Sequence, residues 1–139
     1  MTKKNLTAVW IDRYKAMIVK FHDGNMQVGI LESDMDDAYY HEGESIKGNF
    51  SGSQHDNREK TISERKNNLS HKFLKNVFEE IQESDELYII GPGEMRARLG
   101  HLIESEYKHF HGKVKGIDSC DYLRERQIIA RMKDFFNLK

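Results

Sequence analysis

Leu6-Thr7-Ala8-Val9-Trp10-Ile11 is the stretch on which the fold turns. It is nearly continuously apolar, which suits a strand covered on both faces and so lying inside a sheet. Asp12-Arg13-Tyr14 then reads as a tight turn. Ala16 to Phe21 follows as a second strand, with Met17, Val19 and Phe21 on one face. Asp23-Gly24 comes next, and this dipeptide favours a two-residue hairpin because both central positions want positive φ. Met26, Val28 and Ile30 alternate along a third strand. The chain therefore opens with an antiparallel meander.

The remainder has helical and strand periods in alternation. Leu69, Phe73, Val77 and Ile81 recur every fourth residue, with Leu74 and Phe78 beside them, and predict a helix to about Gln82. Leu87-Tyr88-Ile89-Ile90 is a short buried strand after the polar Glu83-Ser84-Asp85 break. Gly91-Pro92-Gly93 turns it into a helix bearing Met95, Leu99, Leu102 and Ile103. Lys113 to Ile117 is a last strand, where Lys113 and Lys115 suit an edge. Asp118 or Asp121 is positioned to cap a final helix whose inner stripe is Leu123, Ile128, Met132, Phe135 and Phe136. Three meander strands followed by right-handed crossovers give one α/β domain over 1–139. The expected sheet is mixed and five-stranded, ordered 3-2-1-4-5, with helices on both faces: a ribonuclease-H-like arrangement. From about 33 to 60 no hydrophobic period exists, and the expectation there is a long mobile loop.

Charge is distributed more tellingly than its net of −1 suggests. Glu32, Asp34, Asp36, Asp37, Glu42 and Glu44 form an acidic arm without Lys or Arg. Lys47, Arg58, Lys60, Arg65, Lys66, Lys72 and Lys75 then outnumber the acids among them. The basic helix face is either a solvated surface or a site for polyanions. The lone Cys120 has no partner for an intramolecular disulfide, which fits a reducing compartment. Leu6 to Ile11 is too short for a signal peptide, and no run approaches membrane-spanning length. The expectation is a soluble cytoplasmic protein that does not engage a membrane.

Several constellations invite chemistry. Gly91-Pro92-Gly93-Glu94 stands where phosphate loops stand, but Arg96 replaces the third glycine of a dinucleotide fingerprint and no Walker lysine follows. It reads as a plain strand-to-helix turn. His101, His109, His111 and Cys120 lack an ordered second pair at finger spacing, so neither a metal nor another cofactor is expected. A two-metal nuclease would need converging carboxylates. Asp12 ends the first strand suitably, yet the fourth ends on Gly91, and Glu64 is a poor substitute.

Gly52-Ser53-Gln54 acquires interest from its position, on a long loop leading into a basic helix after a three-strand meander. In this the chain resembles the middle domain of the eukaryotic and archaeal class I peptide chain release factors and of Pelota. It looks most like the stand-alone bacterial proteins related to that domain, which share the translational-machinery-component type of fold. The local points of resemblance are Val9-Trp10-Ile11-Asp12-Arg13, Arg58 four residues after Gln54, and His71 ahead of Phe73. Leu87-Tyr88-Ile89-Ile90-Gly91-Pro92-Gly93-Glu94 followed by Leu99 is the best of them. In release factors the loop tip reads Gly-Gly-Gln and acts at the peptidyl-tRNA ester in the ribosome; Pelota-type relatives lack the tip and leave the ester intact. The resemblance implies a glutamine, Gln54, orienting a water at an ester carbonyl, with Gly52 and Ser53 shaping the loop. Here Ser53 stands for the family's second glycine, and the interval from Gln54 to His71 is longer than the pattern.

The leading expectation is accordingly a translation-associated protein, non-catalytic, that binds the ribosome, ribosomal RNA or tRNA. Arg58, Lys60, Arg65, Lys66, Lys72 and Lys75 would follow phosphates. The alternatives are a peptidyl-tRNA esterase using Gln54, which leaves enzymatic activity an open question, and an interaction module unrelated to RNA. That module's charged arms would bind other chains, homo-oligomers included.

Overall fold

The computed structural model describes residues 3–33 and 52–138, and the side chains of all of these except 52–62. Its elements are β1 (Leu6–Ile11), β2 (Lys15–His22), β3 (Asn25–Glu32), α1 (Gly52–Ile81) and β4 (Glu86–Gly91). They continue with α2 (Met95–Glu106), the single-turn α3 (Lys108–His111), β5 (Val114–Ser119) and α4 (Glu125–Phe136).

The strands form one sheet in the order β3-β2-β1-β4-β5. β1 pairs antiparallel with β2 and parallel with β4, which puts the opening apolar hexapeptide at the centre. Its two faces serve two cores. Val9 and Ile11 join Phe73, Val77 and Ile81 of α1 and Leu99 and Ile103 of α2. Ala8 and Trp10 join Tyr88, Ile90, Ile128 and Met132 beneath α4. This two-sided burial is the physical reason β1 lacks polar alternation. The β2–β3 turn carries Asp23 at φ 50° and Gly24 at φ 81°, the pair of left-handed residues the Asp-Gly dipeptide calls for.

Four features differ from the sequence reading. Of the loop expected at about 33–60, residues 34–51 lie outside the described residues, and from Gly52 onward the backbone is already helical. Gly52-Ser53-Gln54 thus belongs to the first turn of α1 rather than to a loop tip. Neither Asp118 nor Asp121 caps α4: the cap position is Arg124, whose N–H donates to Gln127 Oε1 at 2.8 Å. Asp118 instead receives the Tyr88 hydroxyl, and the Asp121 carbonyl receives the Trp10 indole N–H. Finally, Val28 and Ile30 alternate as expected yet are exposed, because β3 is an edge strand beyond the cover of α4.

Candidate nucleic-acid interface

α1 has thirty residues, about 45 Å at the helical rise, against about 20 Å for a six-residue strand. Among its described side chains, which start at Ser63, burial begins at Ser70 and continues through Phe73, Leu74, Val77, Phe78 and Ile81. Phe78 stacks on Tyr107, just past the end of α2, with ring centroids 3.8 Å apart. Counting back from that contact at the helical rise, α2 begins roughly level with Lys66 of α1. The turns from Gly52 to there therefore project past the carboxyl edge of β1 and β4. A helix this long cannot spend its whole length on a sheet this short.

The projecting half and its neighbour carry the cations. Arg65 and Lys72 are exposed and stand seven residues apart, so they share one row on the outward face. Lys66 lies about 100° around the helix from Arg65 and is half-buried. Lys75 is also half-buried, with Nζ 3.6 Å from Glu106 Oε1, while His71 Nε2 stands 3.7 Å from the other oxygen of that carboxylate. Of the proposed phosphate contacts, then, Lys75 faces an internal carboxylate that sequence periodicity gave no means of finding. Glu79 follows Arg65 and Lys72 in their row and is exposed, so the row changes from cationic to acidic toward the C-terminal end of α1. Arg58, Lys60 and Gln54 lie on the helical backbone of that end; their side chains fall outside the described set.

A cavity of about 420 Å³ lies at the carboxyl ends of β1 and β4, and no described residue of α1 lines it. Asp12, Tyr14, Glu94, Arg98 and Tyr122 are among its lining residues. Asp12 Oδ1 accepts the Tyr14 and Lys15 N–H groups at 2.8 and 2.9 Å, so this carboxylate closes the β1–β2 turn. Glu64 is exposed on α1 and does not line the cavity. Among the described residues no three His, Cys, Asp or Glu side chains gather as a metal site. His109 and His111 point outward on either side of the buried Phe110, and Cys120 sits elsewhere, its N–H donating to the Gly91 carbonyl.

The Gly91-Pro92-Gly93-Glu94 turn is structural. Gly91 packs on the Ile11 carbonyl, where any side chain would collide, and Gly93 takes φ 65°. Arg96 donates to the carbonyls of both glycines, so its guanidinium holds the turn. Glu94, at the start of α2, makes no side-chain capping bond. Among the described residues no helix is long and apolar enough to cross a membrane.

A mixed five-stranded sheet in the order 3-2-1-4-5, with helices on both faces, is a ribonuclease-H-like α/β fold. Its solved neighbours carry the arrangement expected from the release-factor and Pelota resemblance. Archaeoglobus fulgidus Pelota superposes over 96% of this chain with a TM-score of 0.58 at 12% identity. Thermoplasma acidophilum Pelota does so over 95% with a TM-score of 0.56 at 17% identity. An archaeal translation termination factor, aRF1, matches over 96% with a TM-score of 0.48 at 12% identity, covering 40% of its own length. The chain spans 32% of the length of either Pelota protein. No protein-family model and no curated protein matches the sequence itself. At these identities the likeness is one of fold.

Proposed function

We propose that this chain is a translation-associated domain that binds the ribosome, through ribosomal RNA or tRNA, without performing ester hydrolysis. One observation carries the reading: the exposed Arg65–Lys72 row stands on a helix whose leading turns reach beyond the body of the domain. Such a projecting cationic helix meets phosphates with little desolvation of anything else. The Pelota-like fold and the local residue resemblance supply the class of partner. A cytoplasmic location follows from that partner.

The helical backbone at Gly52-Ser53-Gln54 supports the non-catalytic half of the proposal. The glutamine chemistry implied by the resemblance relies on glycine-permitted angles and on a backbone N–H presented from a loop. The first turn of a helix leaves its N–H groups unpaired but holds each φ near the helical value, so it withholds the glycine-permitted angles.

Co-sedimentation with ribosomes over a salt series tests the binding. Pelleting at low salt that declines steeply as salt rises is expected, because phosphate contacts release bound cations. Absence of the protein from the pellet even at low salt overturns the proposal. Release of peptide from peptidyl-tRNA by the intact chain would overturn the non-catalytic half alone.

A further inference from the structure

The sheet has two edges, and they are built differently. At β5 the edge is guarded in the ways that oppose strand addition. Lys113 and Lys115 flank or occupy it, Asp118 lies on it, and its pairing with β4 is broken by a register shift at Leu87/Tyr88. The edge at β3 has none of this. Its eight residues pair with β2 without a break, from His22 opposite Asn25 to Lys15 opposite Glu32. Between Asn25 and Leu31 it holds neither a charge nor a proline, in a chain where 32% of residues are charged. Val28 is 36% exposed and Ile30 is 55% exposed. Both lie on the face that α4 covers farther in, since they stand opposite Val19 and Met17. No described element covers them.

We infer that β3 is a self-association edge, pairing antiparallel with β3 of a second copy about a two-fold axis through Val28. The occupant follows from the sequence of the edge itself. Directly opposed residues of an antiparallel pair share a face, so the axis must pass through a residue rather than between two. With Val28 on the axis, each Met26 opposes the partner's Ile30, and Val28 opposes its own copy. The exposed Val28 is thereby matched by its own copy and the exposed Ile30 by the half-buried Met26 of the other chain, and Gln27 meets Gly29 on the reverse face. No charged residue faces a like charge within the paired segment. The result is a continuous ten-stranded sheet closed by an isologous contact, as two-fold dimers require. It leaves the leading turns of α1, which packs on the opposite face of the sheet from Val28 and Ile30, free for the binding proposed above, and rests on none of that reading.

The test uses the full chain with Cys120→Ser as background. Val28→Cys should form an intermolecular disulfide under mild oxidation, because its two copies face one another across the axis. Gln27→Cys should not, since its copies stand more than about 7 Å apart in that register. A mixture of Met26→Cys and Ile30→Cys chains should link only as the heterodimer. Sedimentation equilibrium of the parent should give a concentration-dependent dimer, and Ile30→Lys should weaken it roughly tenfold or more while leaving thermal unfolding of the dilute chain unchanged. A parent that stays monomeric at high concentration, with Val28→Cys forming no disulfide, overturns the inference. Linkage of Gln27→Cys as readily as Val28→Cys overturns it too, as that pattern marks random collision. Linking of Val28→Cys with Ile30→Cys in preference to Val28→Cys with itself would reject this register.

Discussion

The Tyr88 hydroxyl donates to Asp118 Oδ2 at 2.7 Å, tying β4 to the edge strand β5. Arg131 Nε of α4 donates to the same hydroxyl at 3.4 Å, and the Tyr88 ring stacks on Phe135 at 3.8 Å. A buried phenol is thus the joint of two strands and a helix. Tyr88→Phe keeps the stacking and removes the joint. The expected cost is about 1 kcal/mol, read from urea unfolding, because Asp118 is exposed and recovers water.

Burial holds the Tyr88 phenol above its ordinary pKa, against the lowering influence of Arg131. A folded-state pKa above the unfolded one means the native state keeps its proton longer. The associated stability is complete below the unfolded pKa of about 10 and is lost as pH rises through the folded value. Unfolding midpoints should therefore fall above pH 10, and more steeply in the parent than in Tyr88→Phe. Equal slopes would mean the phenol is not the titrating group.

Gly91→Ala tests the packing of the central strand pair. Any Cβ there would run into the Ile11 carbonyl, which is backbone and cannot swing aside. A loss of about 2–4 kcal/mol is expected. Gly93→Ala is the control. It also has positive φ but meets nothing within 4 Å, so it should cost only about 1 kcal/mol. Comparable losses at the two sites would remove the collision as the explanation.

Burial likewise raises the Cys120 thiol, opposed by the charge of Arg131 and by the Trp10 indole. The thiolate is the nucleophile, so alkylation by iodoacetamide near neutral pH should be several-fold slower than for free cysteine. Denaturant should abolish the difference. An equally fast reaction in the native chain would show the thiol to be unburied.

How much of this was legible in the sequence depended on whether the cause was local. Leu6 to Ile11 announced a doubly covered strand, and Asp23-Gly24 a hairpin, because each signal is contained in a few residues. The start of α1 was not legible: Gly52, Ser53 and the polar residues after them have no apolar period to announce the helical backbone they adopt. Val28 and Ile30 showed the right alternation for a half-buried strand. Alternation reports which face a residue is on, however, and not whether a helix reaches that far. Glu106 was invisible as a partner of Lys75, since the two meet only where α1 lies beside α2.

That last pairing separates the basic residues of α1 in a measurable way. If the helix binds RNA phosphates, each true contact contributes about 0.7–0.9 to the slope of log affinity against log salt. Arg65→Gln and Lys72→Gln should each reduce the slope by about that amount, since both cations stand in the exposed outward row. Lys75→Gln should change it much less, because its Nζ is already 3.6 Å from Glu106 and must leave that carboxylate to reach a phosphate. Glu106→Gln is the complementary variant. It frees Lys75 and should strengthen binding slightly and restore the salt slope lost to the internal pair. Gln54→Ala should leave co-sedimentation unchanged, as it removes no charge. All of these substitutions avoid the Phe73, Val77 and Ile81 stripe, so the fold should survive them. Equal effects at Lys72 and Lys75 would show that RNA reaches the α2 side of the helix. No effect at Arg65 or Lys72 would reduce this row to a solvated face.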